Sequence, residues 1–323
     1  MEENRASETR IQLASARKLS PHLSAGLLVE TNIYAQRYNQ DYVARAFVNP
    51  GTTAFNLAST DASYLVNYRH FGLHLRPGLA YDRDRHHLGL AVTLPLIHLG
   101  GTGTLVSDNL VGNLVLSTVQ DRLSFLANTR QEKLPVKWKA PLSIGLGYLY
   151  QMPRAQLYVA VEHFAKVKEY NIITPRNDYF IRPDTGSNNE YTSSLLFLKD
   201  ARKSVTNVAV GASFTVVKGY TGYLSGRTDF SYFDKSLFKD ETGGTPYTAT
   251  WNNFHFQVGA NRGGKKSSIR AGLVFTYGMQ NNYLQSVNFL NPKESNILQG
   301  DREEIVRARH ITTGLMMCYT YHL

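Results

Sequence analysis

The chain has little of what an ordinary soluble enzyme or a helical membrane protein needs. It holds one cysteine in 323 residues, which excludes an internal disulfide framework and a cysteine-rich zinc module. Charged residues are only 19% of the total, below the roughly 25% usual in soluble domains. No run of about 18 to 20 purely apolar residues occurs. The longest uncharged stretch, His86 to Ser107, is broken by Pro95, His98 and several glycines. Together with a mean hydropathy of −0.29, this excludes a bundle of membrane helices. The opening MEENRASETR has no apolar segment of the secretory-signal kind.

What the sequence does have is alternation with period two. Phe71, Leu73, Leu75, Leu79 and Tyr81 oppose His70, His74, Arg76 and Gly78, as on the two faces of a strand. Leu88 to Leu96, Leu142 to Tyr150 and Leu157 to Val161 repeat the pattern. So do Val208 to Val216, Leu224 to Tyr232, Phe254 to Val258, Ile269 to Tyr277 and Leu315 to Leu323. With the segments at Ile11 and Leu23 this predicts about eleven strands, most long enough for the 9 to 11 residues of a tilted membrane strand. Short turns are expected at Ser20 to His22, Arg83 to His87, Gln151 to Arg154, Lys218-Gly219 and Asn261 to Lys266. Long loops are expected near 37–68, 98–138, 169–202, 236–250 and 282–304. Short turns at one end and long loops at the other are the habit of outer-membrane barrels. A soluble sandwich also alternates, but rarely keeps this rhythm of connections.

The predicted fold is therefore all-β: one transmembrane antiparallel up-and-down β-barrel over 1–323, in the bacterial outer membrane. Glycines and a few charges make up the face expected to line the lumen. Tyr81, Tyr148, Tyr150, Phe214 and Tyr220 fall near the short turns, where an aromatic girdle meets lipid head groups. The chain ends on an apolar residue with Tyr321 two before it, similar to the assembly signal of bacterial outer-membrane proteins. Barrels of this class use even strand numbers with both ends periplasmic. An odd count of about eleven predicts a further N-terminal segment, which would also hold the signal peptide.

From Leu134 onward the chain resembles the FadL/TodX family of outer-membrane hydrophobic-compound transporters. The resemblance is carried by LPVKWKAPLSIGLGYLY (Leu134 to Tyr150), AQLYVAVEHF (Ala155 to Phe164) and TNVAVGASFTVVKGYTGYLSGRTDFS (Thr206 to Ser231). FHFQVGANRGGKKSSIRAGLVFTYG (Phe254 to Gly278) and the closing ITTGLMMCYTYHL complete it. These are hairpin-level motifs of moderate specificity. The resemblance implies about fourteen strands, an N-terminal hatch in the lumen, and uptake of compounds such as long-chain fatty acids by binding and diffusion. It also implies that the loops near 37–68 and 98–138 form a capture groove. Neither the hatch nor the signal peptide is seen in this sequence. A structural or secretion-associated barrel in the style of PorP/SprF proteins is the alternative.

Within 98–138, Leu110, Val111, Leu114, Val115, Val119, Leu123 and Leu126 recur at spacings of three and four. This predicts one amphipathic helix over 108–127, either packed on the rim or offering Leu110, Leu114, Val115, Leu123 and Leu126 as an apolar groove. The polar lumen residues are expected to be Glu30, His74, Arg76, Glu162, Tyr223, Arg227, Asp229 and Arg270. Their plain role is a cross-strand lattice; alternatively Arg76, Arg227 or Arg270 receives a carboxylate. His70 and His74 would be about 13 Å apart along a strand, too far to share a metal. Gly100 to Gly103 reads as a loop without a phosphate-binding context. The net charge of +10 is scattered over turns and loops, which suits anionic lipid better than nucleic acid. The expected partners are outer-membrane lipids and a hydrophobic small molecule, with no cofactor, no catalysis and a monomeric unit.

Overall fold

The computed structural model describes residues 2–48, 56–115, 122–178, 180, 192–234, 237, 250–264, 266–283, 288, 290–301, 303 and 306–321. The strands are β1 (Glu2–Lys18), β2 (Leu23–Val48), β3 (Asn56–Arg83), β4 (His86–Thr93), β5 (Ile97–Val115), β6 (Arg122–Pro135), β7 (Ser143–Gln151) and β8 (Ala155–Phe164). They continue as β9 (Val167–Ile173), β10 (Leu198–Arg202), β11 (Val205–Val217), β12 (Tyr220–Asp229), β13 (Asn252–Gly263), β14 (Ser267–Tyr283) and β15 (Val306–Tyr321). One helical turn, α1 (Thr192–Leu195), precedes β10.

Thirteen strands share one antiparallel sheet. Eleven form a continuous meander, β1-β2-β3-β4-β7-β8-β11-β12-β13-β14-β15, while β5 and β6 branch from β3. The eleven strands of the sequence reading are this path. All five short turns fall where expected. At two of them a residue at positive φ makes the reversal: Asp84 (52°) and Gly219 (85°), as tight hairpin turns require.

The burial pattern is inside out. Along β13, Phe254, Phe256 and Val258 are exposed while His255, Gln257 and Gly259 are partly covered. Leu79, Leu146, Val210, Leu224, Leu273 and Leu315 are likewise exposed on their strands. An aqueous protein would not leave so large an apolar surface bare. A bilayer covers it, and the fold is that of a transmembrane barrel. On β3 the outward apolar face runs from Tyr81 to Phe71 and then gives way to Arg69 and Asn67. On β15 it runs from Tyr321 to Ile311 and gives way to Arg309 and Arg307. Both spans match the 9–11 residues that cross the hydrocarbon.

Three expectations about the long connections are corrected. Residues 37–48 and 56–68 continue β2 and β3, paired residue for residue from Leu23↔Tyr81 to Val48↔Asn56. At about 3.3 Å per residue, these strands of 26 and 28 residues reach roughly 85 Å or more, far past a bilayer core of about 30 Å. Their polar, Tyr/Asn/Gln-rich sequence reflects a water-facing sheet. The helix over 108–127 is absent from the described part of that span, which forms β5 and β6, paired to each other. Gly100 to Gly103 lies within β5 and is not a loop.

The misread periodicity has a physical cause. A register shift lies between Val111 and Leu114, and Asn113 sits at φ 57°. The extra residues put Val111 and Leu114, three apart, on the same buried side. A bulge in a two-residue repeat thus imitates a helical spacing.

Two pieces of chain fold over the long-connection end. The β9–β10 hairpin is a separate two-stranded sheet docked on β3, β5 and β6 through a cluster of Val66, Tyr68, Leu105, Leu134, Ile173 and Leu198 with their neighbours. Gly103 makes the docking possible, because a Cβ there would lie 2.9 Å from Ile173 Cδ1 and 3.1 Å from Val136 Cγ2. The β14–β15 connection crosses to the far end of the strand path, where Leu298 joins Ala58, Val111 and Leu114. For a segment beside β15 to touch β3 and β5, the sheet must curl round on itself.

Candidate functional site

Every residue expected to line the lumen falls on one face of the sheet. Cross-strand pairing links Glu30↔His74, then Glu162↔Asn207, Arg227↔His255, Tyr223↔Gly259 and Asn261↔Arg270 in phase. Most are engaged locally. The Arg76 Nε donates to Thr93 Oγ1 at 2.9 Å, and Ser143 donates to Glu162 at 2.8 Å. His255 lies 2.7 Å from Thr276 Oγ1 and 3.4 Å from Asp229 Oδ2. Glu30 accepts from Gln12 and lies 3.8 Å from Arg10. The Arg270 guanidinium stacks over Tyr223 at 4.9 Å. Arg227 has no hydrogen bond or ion pair among the described residues. The arrangement is a polar lattice more than a set of ion pairs: among the described residues none of the three guanidiniums, Arg76, Arg227 and Arg270, has a carboxylate partner, and Arg76 is held by the Thr93 hydroxyl instead.

Above this face, on the same side of β2 and β3, lies an aromatic box that sequence reasoning missed. Trp138 stacks on Tyr34 with centroids 4.9 Å apart. The Arg202 guanidinium sits between Trp138 and Tyr232, at 5.0 and 4.9 Å from the ring centroids. Arg202 Nε lies 3.1 Å from Asp200 Oδ2, which also accepts from the Tyr170 hydroxyl at 3.2 Å. Tyr68 and Tyr34 both donate to Gln36 Oε1, at 2.6 and 3.2 Å. Burial holds the Tyr68 and Tyr170 hydroxyls well above the ordinary phenol range. Arg202 is fixed by a carboxylate and two rings, so it serves as a clamp on the β9–β10 hairpin. The only advance signal was the charged run Lys199-Asp200-Ala201-Arg202 in an otherwise apolar segment.

At the edge of this box, His70 and His98 stack with centroids 5.0 Å apart, and His70 Nε2 lies 2.8 Å from His98 Nδ1. Burial, then the neighbouring His98, pushes the His70 pKa down to about 4. No group of three or more potential metal ligands occurs among the described residues.

The five residues expected to form one apolar groove are split. Leu110 pairs with Leu126, and Leu110 is exposed on the outer side. Leu114 pairs with Leu123 and is fully buried beside Leu298. The Val115 amide donates to Glu294 Oε2 at 2.9 Å, and Arg122 Nη1 donates to the same oxygen at 3.2 Å. Val119 lies outside the described residues. Only Leu114, Leu123 and Val115 are thus gathered at one place, the tip where β5 and β6 meet the β14–β15 connection.

Compared as sequence, the chain matches no family profile and no curated protein. Compared as structure, it is similar to several solved chains. The P. putida toluene transporter TodX aligns with a TM-score of 0.58 at 12% identity, over 99% of this chain and 71% of that one. A Pseudomonas aeruginosa FadL homologue gives 0.57 at 13%, over 98% and 68%. The CymD monoaromatic hydrocarbon channel gives 0.53 at 10%, over 99% and 75%. At these identities the likeness establishes a shared fold.

Proposed function

We propose that the chain forms a passage in the bacterial outer membrane for hydrophobic small molecules, acting by binding and diffusion without bond-making. The observation that carries this reading is the apolar belt around a polar inner face that is covered, at the long-connection end, by clusters of apolar and aromatic side chains. A water-filled pore has no use for such a cap. A carrier of apolar solutes needs somewhere to take them out of water before they meet the polar wall. Leu290 (95% exposed) and Phe47 (76%) leave large apolar side chains bare on the same end. The solved chains of similar fold are described as transporters or channels for toluene and monoaromatic hydrocarbons, or as a FadL homologue. Within this reading Leu114, Leu123 and Val115 belong to the first contact site. His74, Arg76, Glu162, Tyr223, Arg227, Asp229 and Arg270 line the route below, with Arg76, Arg227 or Arg270 open to a carboxylate.

The test is uptake into vesicles whose outer leaflet is lipopolysaccharide, a barrier to apolar solutes, with the full chain refolded into them. Labelled oleate and labelled toluene should both be tried. Uptake of either well above protein-free vesicles is expected, and the faster one names the ligand class. Rates equal to protein-free vesicles for both would overturn the reading.

A further inference from the structure

The tip cluster holds something a simple binding groove would not: one of the chain's own side chains seated in it. Leu298 is 2% exposed, against Ala58 (0%), Val111 (4%) and Leu114 (0%). It reaches there on a loop and not on a strand. Its carbonyl accepts from the Tyr42 hydroxyl at 2.8 Å. Four residues earlier, Glu294 holds the Val115 amide and Arg122. The segment closes on a single 3-10 turn, Glu294–Asn296. Ile297 and Leu298 then both adopt positive φ, 50° and 60°, a region that side chains of this shape rarely enter. The neighbouring Ile297 stays 38% exposed, and Leu290, earlier in the loop, is almost bare. An apolar pocket is therefore filled by a strained loop that spends one leucine on it and leaves others outside.

We infer that Leu298 is a built-in occupant of the first binding site, and that a hydrophobic ligand enters by displacing it. This rests on the proposed passage of hydrophobic compounds. The pocket between β3 and β5 accepts an isobutyl group as built, so its natural guest is an alkyl or small aromatic group of similar girth. While Leu298 is seated, the site is shut to solvent, and Tyr42 and Glu294 hold the shut state. A ligand must compete with Leu298, so its apparent affinity is lowered by the fraction of time the clasp is open. Displacement frees the Leu298 carbonyl and lets the β14–β15 connection swing away from the β5–β6 tip.

The experiment measures binding of 1-N-phenylnaphthylamine, a dye that fluoresces in apolar surroundings, to the full chain in detergent micelles. A clasp shut about nine-tenths of the time costs the ligand about tenfold. Leu298→Ala should therefore tighten dye binding by about that factor, while Leu298→Met stays near the wild-type value. Tyr42→Phe, which removes only one hydroxyl, should tighten it by about threefold. Hydrogen exchange gives a second readout: saturating dye should speed exchange at Val115 and across 290–301. Unchanged or weaker dye binding in Leu298→Ala, or exchange slowed by the dye, would overturn the inference and leave the passage reading standing. A wild-type chain and a Leu298→Ala chain that both fail to bind the dye would overturn both.

Discussion

The cluster beneath the β9–β10 hairpin and the cluster around Leu298 lie at the same end of the sheet, yet they are built from different material. The first draws its fully buried residues from five strands, β3, β5, β6, β9 and β10, with Val136 just beyond β6, and adds the Arg202 clamp and stacked rings around it. The second has four buried residues, one of them on a loop with two consecutive side-chain-bearing residues at positive φ. Each buried aliphatic side chain stabilises by about 1.5–3 kcal/mol, while each residue in the left-handed region gives back about 1–2 kcal/mol. The larger cluster has a wide margin and the smaller one has little. A durable cluster and a labile clasp can therefore share one end of the sheet, and the ways of perturbing them should differ in size.

The largest effect is expected at Arg202. Its partner Asp200 is almost completely buried, so Arg202→Met leaves a carboxylate without its counter-charge and removes both ring contacts. Loss of one member of a buried pair costs about 3–5 kcal/mol. The urea midpoint of the folded chain in micelles should fall accordingly, and exchange should rise over 167–173 and 198–202. The clasp segment 290–301 should not change. If it opens as well, the two clusters are one cooperative unit and the contrast between them fails.

Acid should act next, and also on the larger cluster. His70 has its pKa depressed to about 4 against an ordinary value of about 6.5. The unfolded chain takes up the proton first, so stability is lost as pH falls below about 6.5 and the loss levels off near pH 4. The span of the two values sets a ceiling of about 3 kcal/mol. Comparing wild type with His70→Gln at pH 7 and pH 4.5 isolates this share from that of the carboxylates. The gap in urea midpoint between the two proteins should change by that order across the interval. A constant gap would mean that the His70–His98 contact is not a point of weakness.

The contrast between the clusters also marks what the sequence could say. Strands that face lipid on one side and the polar inner face on the other carry a strict two-residue rhythm, so the eleven-strand meander and its five short turns were legible from alternation and turn residues. Beyond the bilayer the rule changes. On β2 above Ile33 the outward positions are Arg37, Asn39 and Asp41 and the inward ones Tyr34, Gln36 and Tyr38; both faces are amphipathic, and the alternation fades into what reads as loop. At Asn113 a bulge resets the phase and counterfeits a helix. Neither cluster could be read whole: Leu114, Val115 and Leu123 were grouped from their spacing, but Leu298 meets Val111, and Arg202 meets Trp138, only after the chain has folded back over the sheet. The residues expected on the polar face do share one face of the sheet, since they follow the strand rhythm; the clamp and the clasp carry no such signal, since they depend on chain crossing between distant strands.

The smallest expected effect is the one that tests the source of the clasp's weakness. If strain at Ile297 sets the balance between shut and open, a residue at ease at φ 50° should shift it toward shut. Glycine meets that need, and Ile297 is partly exposed, so Ile297→Gly removes little packing. Relief of about 1–2 kcal/mol is opposed by the extra freedom glycine brings to the open loop, about 0.5–1 kcal/mol. The net gain should be at most about 1.5 kcal/mol, felt only by the clasp. Exchange at Val115 should slow by up to about tenfold and dye binding weaken in proportion, while the urea midpoint of the whole chain stays put. Val115 exchange that instead speeds up would place the weakness in the small contact area around Leu298, with backbone conformation irrelevant to it. The clasp would then be labile because it is small, and the larger cluster durable because it is large, with no role for strain in separating them.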